Sequence, residues 1–197
     1  MAEFNFNQPN FDIVDVLAKI KEENAKAIVL FPNSSGMNAL ETLDKTLLIA
    51  SLNKRELPLL GGDSLYKPRT LQLGQQNVVD MVISVPWHIE NNNSQFSTSA
   101  KKLWGTDVNW RSVLTYDATM ALAEAIKTNP TREGIQQTLL NPEFSAQGAL
   151  EEIKFLPTGD RAAEVELVKV VESNNSGFGY DFVPIINSYD LAIDVCN

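Results

Sequence analysis

Leu57-Pro58-Leu59-Leu60-Gly61-Gly62-Asp63-Ser64-Leu65-Tyr66 is an apolar run that ends in two glycines, a carboxylate, a hydroxyl and an aromatic ring. That order describes a buried strand opening at its carboxyl end into a tight loop, because glycine admits close backbone approach and positive φ. Asp63, Ser64 and Tyr66 then present an acceptor, a donor and a ring in one crevice. In open α/β sheets, ligands bind at that edge. These residue types are those of a small-molecule site rather than a catalytic centre.

Upstream, Ala27-Ile28-Val29-Leu30-Phe31 is a short continuous apolar run of the kind found in buried parallel strands, and Pro32-Asn33-Ser34-Ser35-Gly36 breaks it. A helix is expected before it, capped by Asn10 or Asp12, with Ile13, Val16, Leu17 and Ile20 at helical spacing. A second helix is expected over residues 37–52, between the two strands. Helix, strand, helix, strand is the pattern of a parallel sheet with covering helices, an α/β fold. Residues 78–85 supply a further strand, ended by Pro86, which has no N–H to continue a ladder.

Two successive strands thus end in polar loops on one edge. Asp63 has two readings there, as a cap of the following turn or as a ligand contact. Asn33 and Ser34 have the same pair of readings. A ligand with an ammonium group would use the Asp63 carboxylate, with hydroxyl and backbone partners for its other donors.

The middle of the chain changes character. A polar loop at 90–94 precedes helices expected over 97–104, 110–126 and 131–140, the last capped by Thr131. No strand is expected between Pro86 and Phe144. Trp110 and Arg111 stand at the start of the longest helix, as core residues or closing over a ligand with Arg111 on a carboxylate. Residues 150–155 and 165–171 read as a hairpin around Pro157-Thr158-Gly159-Asp160, and 180–186 as a last strand. Asp63 is the one carboxylate that does not fall on an expected solvent face.

The 197 residues are 44% hydrophobic and 21% charged, ordinary for a soluble globular protein. The net charge of −9 argues against a nucleic-acid partner, which needs a basic face. A single cysteine, Cys196, excludes an internal disulfide and a thiolate metal cluster, and a single histidine, His88, excludes a multi-histidine site. His88 reads as a structural hydrogen-bonding residue. Nucleophile-elbow, dinucleotide and P-loop motifs are lacking, so neither an enzyme nor a cofactor is expected. The chain opens without a secretory signal pattern, and no run of about 18 apolar residues occurs.

Leu59-Leu60-Gly61-Gly62-Asp63-Ser64-Leu65-Tyr66 resembles the second-lobe loop of the leucine/isoleucine/valine-type periplasmic binding proteins, the substrate-binding components of amino-acid ABC importers. Phe11-Asp12 with Ala25-Lys26-Ala27-Ile28-Val29-Leu30 is similar to that family's helix and strand, and Thr115-Tyr116-Asp117-Ala118 to its late helix. Gly148, Ile153-Lys154-Phe155, Gly159-Asp160-Arg161, Leu167-Val168-Lys169-Val170 and Tyr180-Asp181-Phe182-Val183-Pro184 follow in the family's order, so the resemblance spans residues 10–185.

The resemblance implies part of a two-lobed type I periplasmic-binding-protein fold that traps its ligand by lobe closure. It implies that Asp63 holds the ligand's α-amino group, that Phe31, Asn33 and Ser34 line the second-lobe wall, and that Trp110 and Arg111 lie near hinge and cleft. Residues 1–86 become a second-lobe segment, 87–148 helices packing on the first lobe, 149–186 closing strands of the second lobe, and 187–197 a tail. The equivalent of roughly the family's first half, with the loop that grips the carboxylate, has no counterpart here. The implied role is an extracytoplasmic receptor for an amino acid or similar small polar ligand, periplasmic or extracellular in its full-length parent and feeding an ABC permease. The alternative is a ligand-sensing domain of a signalling receptor. The chain by itself is expected to bind weakly or not at all.

The helical block from Trp87 to Ala146 would expose an apolar face without the sheet it packs on. Self-association follows: sedimentation should find dimers or larger species that bind a hydrophobic dye. A clean monomer without dye binding would contradict this.

Overall fold

The computed structural model describes residues 1–33, 35–88 and 95–185. Ser34, the loop at 90–94, residue 186 and the tail with Cys196 lie outside the described residues. In chain order the elements are α1 (Ile13–Glu22), β1 (Ile28–Leu30), α2 (Ala39–Asn53), β2 (Leu59–Gly61), α3 (Pro68–Gly74) and β3 (Val82–Val85). There follow α4 (Gln95–Trp104), α5 (Trp110–Thr128), α6 (Arg132–Leu139), β4 (Ala146–Gln147), β5 (Glu152–Ile153), β6 (Glu166–Glu172) and β7 (Tyr180–Pro184). The chain divides into two compact units, Met1–Val85 with Glu166–Asn197, and Pro86–Val165.

The first unit is a five-stranded sheet in the order β1-β2-β3-β6-β7 with helices α1 to α3. Asp12 rather than Asn10 caps α1, its carboxylate accepting the Val14 N–H at 2.8 Å. β1, β2 and β3 run parallel, as the alternation of helix and strand requires, because each return must pass through a helix. The sheet as a whole is mixed, since β6 is antiparallel to β3 and β7 to β6. Only a short polar turn joins β6 to β7, and a connection of that length permits only an antiparallel return. Leu30, Leu43, Met81, Ile83, Val168 and Val170 form the centre of the core. β1 lies at one edge of the described sheet with Val29 exposed.

The expected hairpin between 150–155 and 165–171 does not form. β5 pairs with β4, Ala146 opposite Ile153, while β6 is taken by β3 and β7. The Pro157–Asp160 turn closes only the bridge between Phe155 and Arg161. Ile153 and Phe155 pack instead with Phe144, Ala121 and Ala125, an apolar cluster of the second unit. Sequence patterning also passed over α3, whose one local signal is Pro68 at its first position, where a missing N–H costs nothing.

In the second unit, Asn109 caps α5 by accepting the Arg111 N–H at 2.9 Å, and the Thr131 hydroxyl caps α6 by accepting the Gly134 N–H at 3.0 Å. α5 is apolar on more than one side. Val113, Ala121 and Ala125 are buried, whereas Tyr116, Leu122 and Ile126 are exposed, as are Leu103 and Trp104 on α4. This open face is the one from which self-association is expected.

A carboxylate that patterning assigned to solvent is in fact the buried one. Asp117 on α5 is 2% exposed. Its Oδ1 accepts the Ala149 N–H at 2.7 Å, and Arg161 Nη1 stands 2.6 Å from its Oδ2, an ion pair by distance without hydrogen-bond alignment. Asp117 thereby ties the segment carrying β4 and β5 to the longest helix. Asp117→Ala leaves the Ala149 N–H without its acceptor and Arg161, 23% exposed, with only Glu151 at 3.6 Å, at an expected cost of about 1–3 kcal/mol in urea unfolding. Because the two partners act as one, adding Arg161→Ala should cost much less than its effect in the unchanged chain.

Candidate functional site

The loops singled out from the sequence leave the first unit's sheet at one edge. β1 and β2 are parallel with Leu30 opposite Gly61, and Gly61 is opposite Ile83 of β3. Phe31 and Gly62 are therefore the first residues past the paired ends of β1 and β2.

Both glycines serve close approach, not positive φ. Gly62 has φ −105° and ψ −176°, which any residue adopts, and Gly61 is not in the left-handed region either. A Cβ on Gly61 would lie 2.4 Å from Leu65 Cδ1 and 3.1 Å from the Leu30 carbonyl oxygen. A Cβ on Gly62 would lie 2.9 Å from Phe31 Cε1, so the Phe31 ring rests against the Gly62 backbone. The rest of that ring faces solvent, for Phe31 is 67% exposed.

The chain then makes one 3-10 turn, Asp63–Leu65, closed by Leu65 N–H to Gly62 O and Tyr66 N–H to Asp63 O, both at 3.0 Å. Leu65 is fully buried and anchors the turn from beneath. Asp63 sits half-buried at its start. Its side chain makes no capping bond, and no hydrogen bond or ion pair engages the carboxylate among the described residues. Of the two readings open from the sequence, capping is thus absent and the acceptor is uncommitted.

The other expected contacts are more occupied. Ser64 is 6% exposed. Tyr66 packs edge-to-face on Phe182, with ring centroids 4.8 Å apart. The Asn33 N–H donates to Thr42 Oγ1 at 2.9 Å, and its side-chain amide donates to Asn7 Oδ1 at 3.2 Å. Ser34 lies outside the described residues. The exposed Phe31 ring and the half-buried Asp63 carboxylate stand side by side at this edge, adjacent through Gly62.

Trp110 and Arg111 belong to the second unit. Trp110 packs with Trp87, Val108 and Val113, and its indole N–H is buried without a hydrogen-bond partner among the described residues. The Arg111 guanidinium lies over the Trp110 ring, 4.1 Å from its centroid. Arg111 also borders a shallow cavity of about 440 Å³ with Trp104, Ser112, Thr115, Tyr116 and Thr119, a face of α5 that the sequence reading did not single out. His88 is buried, 4% exposed.

These features define part of the type I periplasmic-binding-protein fold, with three parallel strands opening at a common carboxyl edge. No protein-family model matches the chain, and no curated protein matches it. Solved structures do. A leucine binding protein, LivK, from Thermotoga maritima MSB8 superposes with a TM-score of 0.67 at 21% identity, over 93% of this chain and 51% of that one. A solute binding protein of an ABC transporter from Rhodopseudomonas palustris BisB5, in complex with 3,4-dihydroxybenzoic acid, gives 0.58 at 17% identity, over 89% and 48%. An ABC transporter substrate-binding protein from Desulfitobacterium hafniense, in complex with Leu, gives 0.53 at 17% identity, over 92% and 49%. At such identities the shared property is the fold. The chain spans about half the length of these structures.

The two glycines should respond differently to alanine. Gly61→Ala drives a methyl into Leu65 and the neighbouring strand, and is expected to cost about 1–3 kcal/mol in denaturant unfolding. Gly62→Ala meets only the edge of an exposed ring. It should leave stability within about 0.5 kcal/mol while shifting the Phe31 ring resonances.

Proposed function

We propose that the chain is the ligand-holding part of a solute receptor for an amino acid or a similar small polar solute. In its full-length parent, periplasmic or extracellular, it serves an ABC permease by lobe closure, with no bond made or broken. The first unit is the lobe that takes the ligand's amine, and Pro86 begins the return towards the other lobe. The observation that carries this reading is the uncommitted Asp63 carboxylate at the common end of parallel strands, beside the exposed Phe31 ring. The solved structures support it by analogy, since leucine and benzoates are the ligands named for them.

An ammonium bonded to Asp63 would contribute about 1.5–3 kcal/mol, or roughly ten- to a hundredfold in affinity. Thermal-shift screening of the full-length parent against a panel of amino acids should find at least one that raises the melting temperature. Asp63→Ala should remove that shift. An Asp63→Ala variant that keeps the full shift would show that the ligand is held elsewhere.

A further inference from the structure

We propose that the outward face of α2, with Arg69 and Leu73 of α3 beside it, is a surface on which a second copy of this chain docks, α2 against α2 across a two-fold axis.

α2 is apolar on two sides. Leu43, Leu47 and Ala50 are buried in the first unit's core, as a covering helix requires. The opposite side of such a helix should be polar, and α1 follows that rule, with Lys19, Glu22 and Glu23 linked in surface ion pairs. On α2 the outward side instead carries Leu40, Leu48 and Leu52, all exposed, with exposed Met37 just ahead of the helix. Leu40, Asp44, Leu48 and Leu52 follow one another at four-residue steps and so form one continuous ridge. α3 packs beside α2 and extends the patch with exposed Leu73, one turn from Arg69. A single exposed leucine needs no explanation, whereas a contiguous stripe on a helix already buried on its other side marks a contact surface.

The face complements itself in shape and in charge. A ridge of four-residue steps seats in the groove of another helix of the same kind, the commonest class of helix packing. The patch also holds one charge of each sign, Asp44 and Arg69, both half-exposed and 4.0 Å apart, the outer limit of an ion pair. Across a two-fold axis the same surface faces itself, so the Arg69 of each copy can meet the Asp44 of the other. Glu41 and Lys45, at the margin, are paired with each other at 2.7 Å. The face is therefore neutral in a chain of net charge −9. It lets a second copy approach without like-charge repulsion and offers a strongly charged partner no matching field.

Sedimentation velocity of the chain carrying Leu122→Lys, which charges the exposed face of α5, isolates this contact. Dimers should remain. Adding Leu48→Lys should raise their dissociation constant about tenfold or more without lowering the unfolding temperature, because Leu48 is already exposed. Arg69→Asp in the same background should weaken the dimer to a similar degree, and Asp44→Arg combined with Arg69→Asp should restore it to within about threefold. A pair that only tied α3 to α2 would leave the dimer constant unchanged. A chain that is monomeric once Leu122 is charged, or a dimer indifferent to Leu48→Lys, overturns the inference and leaves the face to a partner of another kind. A dimer that ignores Arg69→Asp, or that the double reversal fails to restore, overturns the pairing across the axis and the inference with it.

Discussion

Leu65 occupies the space that a side chain at Gly61 would fill, and the carboxyl edge of the parallel strands is organised around that contact. With its methyl in place of the missing Cβ, Leu65 is drawn fully into the core and pulls the chain into one tight turn directly after β2. The same absence allows the Leu30 carbonyl of β1 to approach Gly61. The turn is thus held by apolar packing from below and by two backbone hydrogen bonds. Asp63 is not needed to hold it. A carboxylate that would ordinarily be consumed in capping its own turn is left available at the rim.

Two aspartates show how differently one group is used. Asp117 is nearly excluded from water and has an arginine and a backbone N–H close by, which together offset the cost of removing a charge from solvent. Its role is architectural, fastening a small ladder to a helix. Asp63 keeps part of its hydration and has no ionic partner among the described residues. Little of the described structure depends on its charge.

The strand ends were legible because their signals are local. An apolar run stopped by glycine or proline marks a buried strand, and β1, β2 and β3 all carry that mark. Thr131 and Asp12 likewise announced helix starts through residues only two or three positions away. Partner choice was not local. β6 and β5 both look like strands, but whether they pair with each other depends on β3, β4 and β7 elsewhere in the chain. The candidate residues divide in the same way. Asp63 was singled out by residue order and Phe31 through the family resemblance alone, whereas the engagement of Asn33 with Asn7 and Thr42, and of Tyr66 with Phe182, depends on distant segments. Asp117 was misread because alanine, threonine and methionine around it give a helix with no single polar face.

β1 carries a further consequence. It is only three residues long, stands at the sheet's described edge, and turns the exposed Val29 outward. An unpaired rim of N–H and C=O groups beside a valine is a template on which a passing strand from another molecule can stack, the first step toward fibre growth. Pro32 follows almost at once and offers no N–H, so the template ends after a few bonds. A guest strand would gain too little hydrogen bonding there to offset the entropy of being ordered. The brevity of β1 therefore acts as a safeguard against runaway stacking, while the apolar face of α5 has no comparable stop.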